Sequence, residues 1–369
     1  MKVGITAEWA GADAGGPERY TMELLGALAS VPHEHAITVY HCAAAPREWL
    51  ASLPASWRLV QLAGSRKSAI PVSLPLELLR NPVDLCHATY FAPPIAPGRF
   101  VLSILDLGFE SHPDHFPRAV RWRLSLLSRL GARRARQIVT LSEHAKREIV
   151  ERYRVPAERV TVTPLAASAR FSPEPRPDDA AIRARFGLPA EYLLYVGKIQ
   201  ERKNIPRLLR AYHALRAELP GAPPLALVGD RTWKSEATFE VLTELGLEPH
   251  VPMPGRASDE ELAAIYRGAT LFVYPSLLEG FGMPPLEAMQ SGVPVACSNA
   301  SSIPEVVGDA ALCFDPLSVP DITATLRRAL ESPALRAEQV QRGLARARLF
   351  RWETTAQRVL EAWELAARR

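Results

Sequence analysis

A chain of 369 residues with 47% apolar and 23% charged side chains is too long for one ordinary core and too apolar for disorder, so it reads as two soluble domains. The formal charge of +4 conceals an asymmetry: residues 1–175 carry 21 Lys and Arg against 16 Asp and Glu. No apolar run approaches the roughly 18 residues of a membrane span, so a cytoplasmic location is expected, and no nucleic-acid partner is. Four cysteines, Cys42, Cys86, Cys297 and Cys313, stand far apart in apolar surroundings and are expected buried and reduced.

Val3 to Ala7 reads as a first strand and Pro17 to Leu28 as the helix after it, with Tyr20, Leu24, Leu25 and Leu28 on one face. Between them GADAGG places Gly15 and Gly16 where a doubly wound fold brings its backbone to a phosphate. The full glycine fingerprint and its acidic partner are missing, so plain turn chemistry is the competing reading. Further strands are expected at Ile37–His41, Val83–His87, Phe100–Leu105 and Gln137–Leu141, alternating with helical stretches as in a parallel sheet covered on both faces. His87 and Asp106 then fall at strand ends, where such sheets bind ligands. Each also has a structural reading, a core histidine and an Asx turn. His112 and His115 share the loop that follows, with no chemistry expected of them.

The stretch 118–136 holds Arg118, Arg121, Arg123, Arg129, Arg133, Arg134 and Arg136 interleaved with Val120, Trp122, Leu124, Leu127 and Leu130. It reads as an amphipathic basic helix, suited to peripheral contact with an anionic membrane or to a lipid-phosphate acceptor, although a solvated face is expected in a chain where Arg supplies 38 of 44 basic residues. Ser142 caps the next helix, and Val160–Pro164 is another strand. Periodicity is lost from Phe171 to Ala180, which marks the linker.

The second domain restarts with a strand at Tyr192–Val196, ending on Gly197, and a helix over Asn204–Ala217. The loop between them, GKIQERKN, uses two of the chain's six lysines, Lys198 and Lys203, at a strand end before a helix, where two cations suit a diphosphate. Leu225–Val228 and Gly229 give the next strand and turn, with Trp233 and Lys234 nearby. Met253 lies in the segment Val251–Gly255, expected to pass beside a nucleotide base. Ser258 opens a capping box.

The densest stretch is LFVYPSLLEGFGMPPLEAMQSGVPVACSNASSIPE, Leu271–Glu305. Its apolar strand stops at Pro275. Gly280 and Gly282 let backbone approach a bulky ligand, and the helix starting near Pro284 turns its positive end toward that turn. Glu279 and Glu287 flank it, Glu287 within the first helical turn. Two carboxylate acceptors beside an anion site suit a ligand bearing both hydroxyls and phosphates, a nucleotide sugar. Ser302 and Glu305 read as a second capping box.

The run EGFGMPPLE followed by AMQSGVPV resembles the glutamate-x7-glutamate donor motif of family 4 retaining glycosyltransferases. The resemblance is strongest over Tyr192–Pro316 and covers nearly the whole chain. It implies an α/β GT-B fold, two Rossmann-like doubly wound parallel-sheet domains facing a cleft. Residues 1–172 would bind the acceptor, 173–350 the nucleotide sugar, and 351–369 would form a helix crossing back to the first domain. It implies catalytic roles for Glu279, Lys203 and Lys198, with Gly15, Gly16, Gly197, Gly229, Met253, Gly280, Phe281, Gly282, Met283 and Glu287 at the donor. His87 and Asp106 would lie on the acceptor side, where Leu105 replaces a histidine common in such enzymes. The implied reaction moves a hexose to a hydroxyl of a glycan, lipid-linked saccharide or small glycoside, with front-side attack and no protein nucleophile. GDP-mannose is slightly preferred as donor over a UDP-sugar. No Asp-x-Asp pair occurs, so no metal and no cofactor are expected. The alternatives are a nucleotide-sugar epimerase of the same architecture and a non-catalytic sugar-nucleotide-binding subunit.

Overall fold

The computed structural model describes residues 1–13, 15–65, 68–93, 97–113, 118–232 and 234–368, with the side chains of residues 119 and 120 excepted. His115 and Trp233, and the side chain of Val120, therefore lie outside the described residues. The chain forms two compact units, Met1–Leu165 with Arg351–Arg369, and Ala166–Phe350. The crossover falls at residue 165, ahead of the aperiodic stretch. Residues 166–172 belong to the second unit because Gln290 donates to the carbonyls of Ser168 and Phe171, both at 2.8 Å. Asp179, expected within the linker, opens a helix and forms a buried ion pair with Arg267.

The first unit is a parallel seven-stranded sheet. Its strands are β1 (Lys2–Ala7), β2 (Ala36–His41), β3 (Arg58–Gln61), β4 (Leu85–Thr89), β5 (Arg99–Ser103), β6 (Gln137–Thr140) and β7 (Val160–Val162), in the order β3-β2-β1-β4-β5-β6-β7. The strand order reverses between β1 and β4, the switch point of a doubly wound sheet. β4 and β6 are buried at every position, which is why they read as apolar runs. The exposed edge strand β3, RLVQ, lacks that signature and was not anticipated.

The helix Trp352–Arg368 packs on β5, β6 and β7 and on the helix Gly16–Ser30 of the same unit. It buries Val359 and Trp363 completely. Trp363 also corrects the expectation for His87. The strand runs to Thr89, so His87 sits mid-strand, paired in register with Ile5 and Val101, and is 2% exposed. Trp363 Nε1 donates to His87 Nδ1 at 3.0 Å, which places the ring proton on Nε2, facing Ser103 Oγ at 2.7 Å. Ser103 Oγ in turn meets Tyr20 OH at 2.8 Å. Burial lowers the His87 pKa to about 3, so the imidazole is neutral and both nitrogens are spent on the fold.

The helix Arg118–Arg134 turns Leu124, Ser128, Gly131 and Ala132 toward the core, whereas Trp122, Leu126 and Leu130 are 70%, 40% and 50% exposed. The apolar residues of this stretch thus do not share one face, contrary to the simple amphipathic reading. No helix of the described residues is long and apolar enough to cross a membrane.

The second unit is a parallel five-stranded sheet of β8 (Leu193–Val196), β9 (Leu225–Val228), β10 (Leu271–Tyr274), β11 (Val295–Ser298) and β12 (Leu312–Phe314), ordered β12-β11-β10-β8-β9. All four positions of β8, β9, β10 and β11 are buried. Here the order reverses between β8 and β10, so a ligand crevice is expected beyond the carboxyl ends of those two strands. Cys297 and Cys313 pair in register across β11 and β12; all four cysteines are free, and Cys313 is exposed rather than buried.

Candidate active site

The loops leaving β8 and β10 bring together residues that lie some seventy positions apart in sequence. After β8, the turn Glu201–Lys203 carries Arg202 and Lys203 ahead of the helix Ile205–Glu218. After β10, Pro275 ends the strand and Ser276 and Glu279 follow. Lys203 Nζ donates to Glu279 Oε1 at 2.5 Å and to Tyr274 OH at 2.6 Å, and lies 4.9 Å from the Tyr274 ring centre. Tyr274 OH donates to the same Oε1 at 2.8 Å, and Ser276 Oγ at 2.5 Å. Arg202 Nη1 reaches Glu279 Oε2 at 3.3 Å and the carbonyl of Leu278 at 2.9 Å.

Burial by itself would raise the Glu279 pKa. The Lys203 ammonium, then the Arg202 guanidinium, and the hydrogen bonds from Lys203 and Ser276 outweigh it and hold the carboxyl at about 2. Burial and the neighbouring carboxylate push the Tyr274 phenol well up, so it keeps its proton and donates. With Oε1 taking three donors, Oε2 is the oxygen with room for another. Lys198 is exposed just past Gly197 and has no ion-pair partner among the described residues. Two cations, Lys203 and Arg202, therefore meet the one Glu279 carboxylate, with Lys198 in the same loop.

The backbone around this cluster is braced from both sides. Asn204, at φ 60°, donates from Nδ2 to the carbonyls of Pro275 at 3.1 Å and Pro316 at 2.7 Å, tying the β8 loop to the end of β10. Ser302 does not cap its helix as its sequence suggested. Its hydroxyl instead engages the carbonyls of Glu279 at 2.8 Å and Phe281 at 2.9 Å, while the Glu279 N–H donates to Ser301 Oγ at 2.9 Å. The sequence marks none of Arg202, Tyr274, Ser276, Asn204 and Ser301 as site residues, and Ser302 only as a helix cap. Only Arg202 left a trace, by lying between the two lysines.

Gly197 and Gly229 end β8 and β9 side by side at φ 148° and 143°; a Cβ on Gly229 would lie 2.2 Å from the Gly197 carbonyl oxygen. Gly229 N–H donates to the carbonyl of Gly255 at 2.8 Å and Leu227 N–H to that of Pro252, so the segment holding Met253 runs beside β9. Gly282, at φ 109°, caps the helix Met283–Gln290. Pro284 and Pro285 occupy two of that helix's first four positions and carry no N–H, so its tip offers fewer donors than expected. Phe281 is 5% exposed and packs edge-on against Phe350 at 5.6 Å, which removes its side chain from ligand contact. Glu287 is the fifth helical residue, not in the first turn. It is 2% exposed and accepts from Tyr266 OH at 3.1 Å.

In the first unit, Gly15 sits at φ 69° as the exposed cap of the Gly16–Ser30 helix, and nothing lies within 4 Å of where a Gly16 Cβ would be. Asp106 Oδ1 accepts from the Gly108 N–H at 2.9 Å, the Asx turn foreseen as its structural reading. Leu105 is buried.

Two doubly wound parallel sheets of this kind define an α/β protein of the GT-B fold class. The match to known proteins is specific. Residues 179–346 fit the model described as Glycosyl transferases group 1, and residues 14–167 the model described as Glycosyltransferase Family 4. The O-antigen chain mannosyltransferase B of Escherichia coli is 36% identical over 282 residues, 76% of this chain and 74% of that one. The serotype-specific mannosyltransferase WbdA of Escherichia coli is 33% identical over 62% of this chain, which spans 29% of that longer protein. Among solved structures, Anabaena Alr3699/HepE in complex with UDP-glucose superposes with a TM-score of 0.75 at 18% identity, over 99% of each chain. The chain belongs to the family 4 glycosyltransferases and is a mannosyltransferase-like transferase of GT-B fold.

Proposed function

We propose that the enzyme transfers a mannosyl group, with retention of configuration, from a nucleoside-diphosphate sugar held by the second unit to an acceptor hydroxyl bound by the first. The observation that carries this reading is the Lys203–Glu279–Arg202 cluster, placed where the strand order of the second sheet reverses. The mannosyltransferase names of the relatives support the sugar. The UDP-glucose bound by the Anabaena neighbour supports a nucleotide-sugar donor.

The difficult event is rupture of the bond between the sugar's anomeric carbon and the β-phosphate oxygen. Negative charge grows on the departing diphosphate, and Lys203, Arg202 and Lys198 are the fixed positive groups to meet it. The acceptor oxygen forms the new bond to the anomeric carbon on the same face, and its proton passes to the leaving phosphate. Glu279 holds Lys203 and Arg202 in place, and its Oε2 receives a sugar hydroxyl. Glu287 serves the ribose diol. In this reading the side-chain cations neutralise the diphosphate in place of a divalent metal, and a GDP-sugar is the first donor to try, UDP-sugars next.

The test measures release of GDP from GDP-mannose and of UDP from UDP-glucose, with and without saccharide acceptors, and determines the anomeric configuration of the product by NMR. Acceptor-dependent nucleotide release giving an α-linked product is expected. Nucleotide released equally without acceptor, a β-linked product, or no binding of any nucleotide defeats the reading.

A further inference from the structure

The helix Arg118–Arg134 aligns Arg118, Arg121, Trp122, Ser125 and Arg129 at i, i+3, i+4, i+7 and i+11, a single stripe along an α-helix. That stripe, with Glu110, lines an open cavity of about 690 Å3 in the first unit. Its size lies within the range of about 300–1,000 Å3 usual for small-molecule sites. The only carboxylate on the wall among the described residues is already engaged: Ser125 Oγ donates to Glu110 Oε1, and the Arg129 guanidinium stands 3.7 Å from it. Arg129 also rests 5.7 Å from the Tyr153 ring centre. Arg118 and Arg121 are exposed and have no ion-pair partner among the described residues. Among the described residues, three guanidinium groups against one braced carboxylate leave two positive charges uncompensated beside a hollow of molecular size.

Arginine-rich surfaces are common in this chain, but this one differs in two respects. It encloses volume, and it displays a 70% exposed indole, Trp122, on the same stripe. A flat aromatic face suits the apolar face of a sugar ring, and paired guanidinium forks suit phosphate oxygens.

We propose that this cavity binds the phosphate of a phosphorylated saccharide, a sugar carried on a phosphate mono- or diester. Arg118 and Arg121 clamp the phosphate, Arg129 adds charge from a fixed position, and Trp122 stacks on the sugar. That this molecule is the acceptor rests on the transferase reading; that it binds does not.

Calorimetric titration of the full chain, with GDP or UDP at saturation to occupy the donor site, compares glucose 1-phosphate with methyl glucoside. The phosphate ester is expected to bind at least tenfold more tightly, and R118A/R121A to lose about 10- to 100-fold of that affinity, the worth of charge-assisted hydrogen bonds. The melting temperature and far-UV circular dichroism of R118A/R121A are expected unchanged, which shows that the first unit is folded in the variant. Unaltered phosphate-ester binding in R118A/R121A, or equal binding of the neutral glycoside, overturns the proposal. A parallel arm uses phosphatidylcholine vesicles with and without phosphatidylglycerol. Arginine-dependent vesicle binding alongside soluble phosphate-ester binding assigns the phosphate to a lipid-borne ligand. Vesicle binding with no soluble phosphate-ester binding makes the stripe a membrane contact and sinks the proposal. Loss of nucleotide binding in the unaltered protein counts against the donor site alone, because the phosphate ester is titrated again without nucleotide.

Discussion

Lys203 Nζ and Glu279 Oε1 stand 2.5 Å apart although 76 residues separate them, and neither is free to move without the other. Both are nearly buried, at 8% and 11% side-chain exposure. Lys203→Met therefore leaves a buried carboxylate with a single, longer ionic partner, and a loss of about 3 kcal/mol in unfolding free energy is expected. The double variant Lys203→Met/Glu279→Leu removes the stranded charge and should recover most of that stability. Its transfer rate should stay depressed by about 10² to 10³, the cost of losing one charge-stabilising donor. Urea unfolding and initial rates on the two variants check this, and recovery of rate together with stability refutes the catalytic role.

The same pair gives an acid-side signature. The folded Glu279 carboxyl, at about 2, lies below its usual value of 4.5, so the folded state binds fewer protons than the unfolded chain in between. Its contribution is complete above pH 4.5 and is lost as pH falls toward 2. Glu279→Gln should flatten the stability profile in that interval, measured as the difference in unfolding free energy between variant and parent.

His87 acts at milder acidity. Its folded pKa of about 3 lies below the ordinary 6.5, so protonation favours the unfolded chain and stability falls as pH drops below 6.5. At pH 5 the loss should be about 2 kcal/mol, from 1.36 kcal/mol per pH unit. His87→Asn should remove most of this slope between pH 7 and 5. An unchanged slope places the sensitivity elsewhere.

Two glycines separate folding from function. Gly229→Ala drives a methyl into the Gly197 carbonyl at a φ of 143° and should cost about 1–3 kcal/mol and weaken nucleotide binding with it. Gly16→Ala meets open space, so its melting temperature should hold. If the loop at Gly15 and Gly16 attends the donor, the KM for nucleotide sugar should rise in Gly16→Ala; an unchanged KM removes these glycines from the site.

Addition of a chelator tests the charge-neutralisation scheme directly. Transfer rates with excess EDTA should match those without it, and a rate restored only by added Mg2+ or Mn2+ would show that Lys198, Arg202 and Lys203 do not suffice.

The second sheet was legible because β8, β9 and β10 are buried on both faces and spell LLYV, LALV and LFVY. The edge strand β3 faces solvent at most positions and leaves no such pattern. Lys203 and Glu279 could be named from local chemistry, but not their direct bond, which depends on how two loops from non-consecutive strands converge. Ser302 shows the limit most plainly. Its spacing to Glu305 matches a capping box, and tertiary structure spends the hydroxyl on carbonyls more than twenty residues earlier. For His87 the strand runs two residues past the expected end, which leaves the acceptor-side reading behind and bears out the core-histidine one, in contact with Trp363.

That contact bears on the order in which the protein is made. Trp363, synthesised only after the whole of the second unit, fills the heart of the unit built from residues 1–165. A growing chain must therefore carry a seven-stranded sheet with its cover missing while the intervening 185-residue unit, whose sequence is continuous, can close on itself at once. Folding should therefore complete in the second unit first, with residues 1–165 waiting for the helix Trp352–Arg368, and shortening that helix by a few turns should harm the first unit and spare the second.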